Sequence, residues 1–163
     1  MIDLEKLRLM FEVDCNGQLV RRCTVHYNAK KGDIAGTVDK TTGYMRVNFD
    51  GKVHYVHRLV WALSHGELPN GFIDHINGIK TDNRISNLRV VDNRENMQNV
   101  RHARVDSKTG VLGVSFCKNT KKYIARIHMP DGSYPVVCKS ESLDIAGQMY
   151  IEAKRKYHKG CTI

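Results

Sequence analysis

Residues 73 to 99 read IDHINGIKTDNRISNLRVVDNRENMQN, and this stretch decides the fold. Phe72 to Ile76 has the length and apolar content of a short strand, and Asn77-Gly78 is a turn signal. Leu88 to Val91 is a second strand. Asp92 and Glu95 have the spacing of a capping box, so a helix is expected from Asn93 to about Val100. Strand, loop, strand and helix make a ββα hook that would bring Asp74 and His75 beside the helix bearing Asn96.

The chemistry of that hook follows from its residue types. A neutral imidazole can take a proton from water near pH 7, which gives His75 the role of base. A hard cation such as Mg²⁺ prefers oxygen and keeps several waters, so Asp74 and Asn96 can hold one divalent ion, Mg²⁺ or else Mn²⁺. Asn87 can accept a hydrogen bond from the far ring nitrogen of His75 and fix its tautomer. Consecutive strand residues point to opposite faces, so Asp74 and His75 can share a site only if the strand breaks near Asn77-Gly78. An isolated Asp-His pair is usually a satisfied structural pair, and Asn77 and Asn83 read as turn residues. His57, which opens a helix, reads as structural or phosphate-facing.

Upstream, residues 1–56 read as short strands and tight turns, with a helical turn at Leu4 to Phe11 and hairpin signals at Asn16-Gly17 and Asp50-Gly51. A helix is expected from Arg58 to His65, stopped by Gly66 and Pro69. Downstream, residues 101–109 read as a basic polar linker. Three strands follow, at Leu112–Phe116, Tyr123–Met129 and Tyr134–Cys138, and then a helix from about Ser142 to Tyr157. The fold class is therefore α+β: a β-rich region over 1–56, the hook over 57–100, and a three-stranded antiparallel sheet with one helix over 110–160.

Composition narrows the partner. The chain has 163 residues, with 26 Lys+Arg against 17 Asp+Glu and a net charge of +9. Such an excess suits a polyanion, because each neutralised phosphate releases counterions. No apolar run approaches a membrane span, and the first residues lack the order of a signal peptide, so a cytoplasmic protein is expected. The five cysteines stand at 15, 23, 117, 138 and 161. None is paired as Cys-x-x-Cys, which favours reduced thiols over a zinc ribbon or disulfides.

The ordered run from Val56-His57-Arg58-Leu59-Val60, through Asp74-His75-Ile76-Asn77-Gly78, Asp82-Asn83-Arg84 and Asn87-Leu88-Arg89, to Glu95-Asn96 and Asn99 resembles the HNH homing endonucleases of phages and mobile introns. The likeness covers roughly residues 30 to 100. It implies that His75 is the general base, that Asp74 and Asn96 bind one divalent metal, and that Asn87 steadies His75. It also implies 5′-phosphate and 3′-hydroxyl products and, for a phage-encoded chain, action in the host cytoplasm. Many relatives end the motif on His; Asn96 marks the Asn variant. Arg58, Arg84, Arg89 and Arg94 are candidates to clamp the DNA backbone, against the alternative of solvated charges.

The segment 110–158 resembles the DNA-binding domain of plant ethylene-response factors, the APETALA class, on Gly113-Val114, Tyr123-x-Ala125-x-Ile127, Asp131-Gly132, Ala146-xxx-Tyr150 and Ala153-xx-Lys156-Tyr157. Such a domain lays its sheet in the major groove. Strand alternation leaves Arg126 and His128, and on the first strand Ser115 and Cys117, on the open face, with Arg126 the candidate for a guanine edge and Lys118, Lys121 and Lys122 near phosphates. The expectation is a site-preferring endonuclease of double-stranded DNA, monomeric or weakly dimeric. Its alternatives are a non-catalytic DNA-binding regulator and an RNA-processing enzyme.

Overall fold

A computed structural model describes residues 2–163. It divides into two compact units, residues 1–93 and 94–163. The N-terminal region and the hook strands thus share one unit, and the division falls inside the hook helix.

In the first unit, Asp3 caps helix α1 (Leu4–Met10) by accepting from the Lys6 amide at 3.0 Å. A hairpin follows: β1 (Phe11–Val13) pairs antiparallel with β2 (Leu19–Arg21) around the turn at Asn16-Gly17. A second sheet has the order β3 (Thr37–Val38), β4 (Met45–Phe49), β5 (Lys52–Tyr55). Asp50 and Gly51 both take positive φ, 55° and 71°, as a two-residue hairpin turn demands. The strand β3 carries no pattern that announces it: it is two exposed residues long and exists because β4 pairs with it.

Helix α2 (Val56–His65) starts two residues earlier than the spacing suggests and ends at Gly66, as expected. It buries Val56, Leu59, Val60 and Ala62 against Leu7, Phe11, Leu19, Val47 and Phe49, with Ile73 and Leu88 of the hook in the same core. This shared core is why the hook strands do not stand apart from residues 1–56. Strand β6 (Phe72–His75) pairs antiparallel with β7 (Leu88–Val91), and α3 (Asn93–Gln98) follows.

In the second unit the sheet order is β10 (Val136–Ser140), β9 (Lys122–Arg126), β8 (Val114–Cys117), backed by α4 (Leu143–Tyr157). Ser142 caps α4 through the Ile145 amide. Val114, Ala125 and Ile127 of the sheet region pack with Ala146, Tyr150 and Ala153 of the helix. A bulge between Val136 and Cys138 shifts the β10 register. The three strands and the helix come where the turn signals put them, displaced by one to three residues. Among the described residues no helix is long and apolar enough to cross a membrane.

Candidate active site

His75 closes β6. The backbone then reverses at once: the Gly78 amide donates to the His75 carbonyl at 2.8 Å, with Gly78 at φ 75°. Asp74 and His75 both stand inside the paired strand, opposite Arg89 and Leu88, and the chain turns only after His75. The twelve-residue return to β7, residues 76–87, is knotted by its own side chains. Asn77 Nδ2 donates to Asp82 Oδ2 at 2.7 Å, and Asn77 Oδ1 accepts from the Ile79 amide at 2.9 Å. Arg84 Nε and Nη2 grip the two Asp82 oxygens at 2.8 and 2.6 Å.

Asn87 completes the knot. Its Oδ1 accepts from the Asn77 amide at 2.9 Å and its Nδ2 donates to the Asp82 carbonyl at 2.8 Å. Both ends of the Asn87 amide are therefore spent on loop backbone, and the hydrogen bond expected between Asn87 and His75 is not made. Asn83 makes it instead. His75 Nε2–H donates to Asn83 Oδ1 at 3.1 Å, and Asn83 Nδ2 points to Met45 Sδ at 3.6 Å. Asn83 is only 2% exposed, so it is a committed core partner rather than a turn residue. An amide oxygen can only accept, so the proton sits on Nε2 and the lone pair on Nδ1.

Rings fix the imidazole on its other sides. Tyr44 lies 5.8 Å from His75 by ring centroid, and His57 meets it edge-on at 5.3 Å. Tyr55 stacks on His57 at 5.4 Å. Burial pushes the His75 pKa down, partly offset by the Asn83 hydrogen bond and by Asp74, so the ring is neutral at pH 7. His57 is pushed further, to about 3, by burial first and then by repulsion from His75 and Arg58. It is 7% exposed, and among the described residues its Nδ1 has no hydrogen-bond partner.

His57 makes the fold acid-sensitive. Unfolded, its ring takes a proton near pH 6.5; folded, it refuses one until about 3. The unfolded state binds more protons across that window. Stability is therefore full above about pH 6.5 and drains away as the pH falls toward 3, by about 4 kcal/mol in all. Urea melts at pH 7, 5 and 4 measure this. His57→Phe should flatten the dependence, and an unchanged slope in that variant would assign the acid lability to another group.

Asp74 stands directly opposite Arg89 across the hook. Arg89 Nε and Nη2 both donate to Asp74 Oδ2, at 2.9 and 2.7 Å. The guanidinium thus orients the carboxylate while compensating its burial. Asn96 lies on α3 and is half-buried. Among the described residues no three His, Cys, Asp or Glu side chains gather as a metal cluster.

The other arginines have partners of their own. Arg58 donates to the carbonyls of Gly71 and Pro69 at 3.1 and 3.3 Å, bracing the approach to β6. Arg94 donates to the Pro130 carbonyl at 2.8 Å. In the second unit, register puts Ser115, Ile124 and Lys139 on one face, with Cys117 beside Lys122 and Arg126 beside Val136. That face is opposite to the Ala125 and Cys138 side that packs with α4. Lys118, Lys121 and His128 are exposed at the strand ends, and Lys122 pairs loosely with Glu141 at 3.7 Å.

No curated protein sequence matches the chain. A solved structure of DNA binding and cleavage by the HNH homing endonuclease I-HmuI aligns with a TM-score of 0.44 and 20% identity, over 98% of this chain and 93% of that one. Residues 54–98 match the HNH endonuclease family. They contain α2, both hook strands and α3, and with them Asp74, His75, Asn87 and Asn96. The 54–98 segment is therefore similar to the HNH endonuclease family.

Proposed function

We propose that the chain is a metal-dependent, site-preferring endonuclease of double-stranded DNA. The observation that carries the reading is the buried His75, whose Nε2–H donates to Asn83 Oδ1 at 3.1 Å and whose burial pushes its pKa down. In this reading Nδ1 takes the proton of the attacking water. Asp74 and Asn96 would hold one divalent ion, Mg²⁺ or Mn²⁺. Bound there, such an ion supplies a Lewis acid that neutralises charge on the phosphate and stabilises the leaving 3′-oxygen. Asn87 shapes the loop that carries Asn83, so its part is positional. Arg89 keeps the Asp74 carboxylate in place. Hydrolysis would leave 5′-phosphate and 3′-hydroxyl ends.

The segment 110–158, by its sequence resemblance to the ethylene-response-factor domain, is proposed to read the duplex with its open face, Arg126, Ser115 and His128 at base edges and Lys118, Lys121 and Lys122 at phosphates. The major groove of duplex RNA is too deep and narrow for such a sheet, which favours DNA. Arg58, Arg84 and Arg94 have internal hydrogen-bond partners, and their remaining N–H groups are the ones left for phosphate. With one base per chain, a monomer nicks one strand at a time. The enzyme would act in the cytoplasm, that of the host cell if the chain is phage-encoded.

The test is digestion of a genomic duplex with Mg²⁺, with Mn²⁺ and with chelator, followed by mapping of the ends. Cuts should fall at few sites, be ligatable as 5′-phosphates, and vanish with chelator. Cleavage that persists in chelator contradicts the metal. Equal degradation of single-stranded RNA points to the RNA-processing alternative.

A further inference from the structure

Helix α3 spans the division between the units, and its residues from Arg94 onward, Asn96 included, belong to the second unit. Six residues are too few for a helix to hold itself in water, so its place is set by what grips it. Part of that grip comes from the segment following α4. Gly160 presses on the helix backbone: a Cβ there would lie 2.4 Å from the Glu95 carbonyl oxygen and 3.2 Å from Gln98 Cβ. The Gly160 amide donates to Gln98 Oε1 at 3.1 Å. Thr162 Oγ1 donates to Asn99 Oδ1, and Arg101 Nη2 donates to the Thr162 carbonyl at 3.1 Å.

Lys154 of α4 adds an unusual contact. It is 2% exposed, and its ammonium donates to the Val100 carbonyl, just past α3. Among the described residues no carboxylate pairs with it. Burying a cation against a carbonyl alone costs stability, and a methionine of similar length would pack there without that cost. What the ammonium supplies is a fixed position for residues 99–101. At the other end of α3, Arg94 is tied to the Pro130 carbonyl in the β9–β10 turn. Every one of these contacts lies within the second unit.

We infer that Gly160 and Thr162, with Lys154, are positioning residues for Asn96. The inference rests on the reading of Asn96 as a ligand given above. None of the three touches the reacting atoms; each acts through the backbone of α3 or its continuation. Gly160→Ala pushes at Glu95, next to the ligand. Thr162→Val removes the hydroxyl that holds Asn99, and Thr162→Ser restores it.

The experiment measures three quantities for the full chain bearing Gly160→Ala, Thr162→Val or Thr162→Ser: Mn²⁺ affinity by EPR in complex with an uncleaved duplex, duplex affinity in chelator, and amide exchange of α3. For Gly160→Ala and Thr162→Val we expect Mn²⁺ affinity to fall about five-fold or more, faster exchange in α3, and duplex affinity within about two-fold of wild type. Thr162→Ser should restore all of these. Wild-type Mn²⁺ affinity in a folded Thr162→Val protein overturns the inference, as does a parallel loss of duplex binding, which marks a purely structural role. If Gly160→Ala fails to fold, the Thr162 pair decides. Asn96→Ala separates the two readings: Mn²⁺ affinity unchanged in that variant sinks the ligand assignment itself, whereas a loss there with none in Thr162→Val sinks only the inference.

Discussion

Replacing His75 by alanine should lower the cleavage rate by about 10²- to 10⁴-fold, the range over which a positioned general base contributes, while duplex affinity changes little. The ring is buried and faces aromatic neighbours and Asn83, so its removal takes away the base without removing a surface cation. Single-turnover rates on a nicked-circle substrate, alongside binding in chelator, give both quantities. Asn83→Leu should cost less, about 10- to 100-fold, because it acts through the ring. It leaves Nε2–H without its acceptor and releases the tautomer that keeps the lone pair on Nδ1. An Asn83→Leu protein with wild-type rate would show that the 3.1 Å hydrogen bond has no part in orienting the base.

The second large effect comes from far outside the motif. Gly17, in the first hairpin, has φ 74°, and a Cβ there would lie 2.2 Å from the Arg84 amide nitrogen and 2.4 Å from the Asn83 carbonyl carbon. Gly17→Ala therefore meets two costs at once, a left-handed backbone and a collision with the main chain that carries Asn83. The loss should be about 3 kcal/mol or more, since the clash adds to the roughly 1–2 kcal/mol of the backbone alone. Gly51→Ala is the control: it has φ 71° with no atom within 4 Å of the new Cβ, so only the backbone cost applies. Thermal melts should rank the two far apart. The Gly17 variant should also lose cleavage beyond what its unfolded fraction explains, because Asn83 is displaced from His75. Equal destabilisation by the two substitutions would mean that the hairpin turn yields without moving the loop.

The hook was legible because its signals are local. Alternation, Asn77-Gly78 and the Asp92–Glu95 spacing each bear on residues a few positions apart, and β6, β7 and α3 appear where they point. The assignment of Asn87 to His75 failed for a physical reason. Within a loop closed by side-chain bonds, the neighbour of a ring is decided by how the chain doubles back. The Asn77–Asp82 bond carries Asn83, and not Asn87, under the imidazole. A turn residue and a core amide look alike in sequence, since both are Asn after Asp. What could have hinted at Asn83 is the excess of amides: Asn77 and Asn87 already suffice to close the loop. The division within α3 and the contact of Gly17 with residues 83–84 join positions more than sixty apart, and nothing periodic or local announces them.

The central claim is tested most directly by locating the cation. Crystals of the chain with an uncleavable duplex and Mn²⁺, measured at the manganese absorption edge, should show one strong anomalous peak at about 2.1 Å from an Asp74 carboxylate oxygen and from Asn96 Oδ1. His75 Nδ1 should face the water on the scissile phosphate and stay out of the coordination shell. A peak that touches neither Asp74 nor Asn96, or one bound through the His75 ring, would contradict the account.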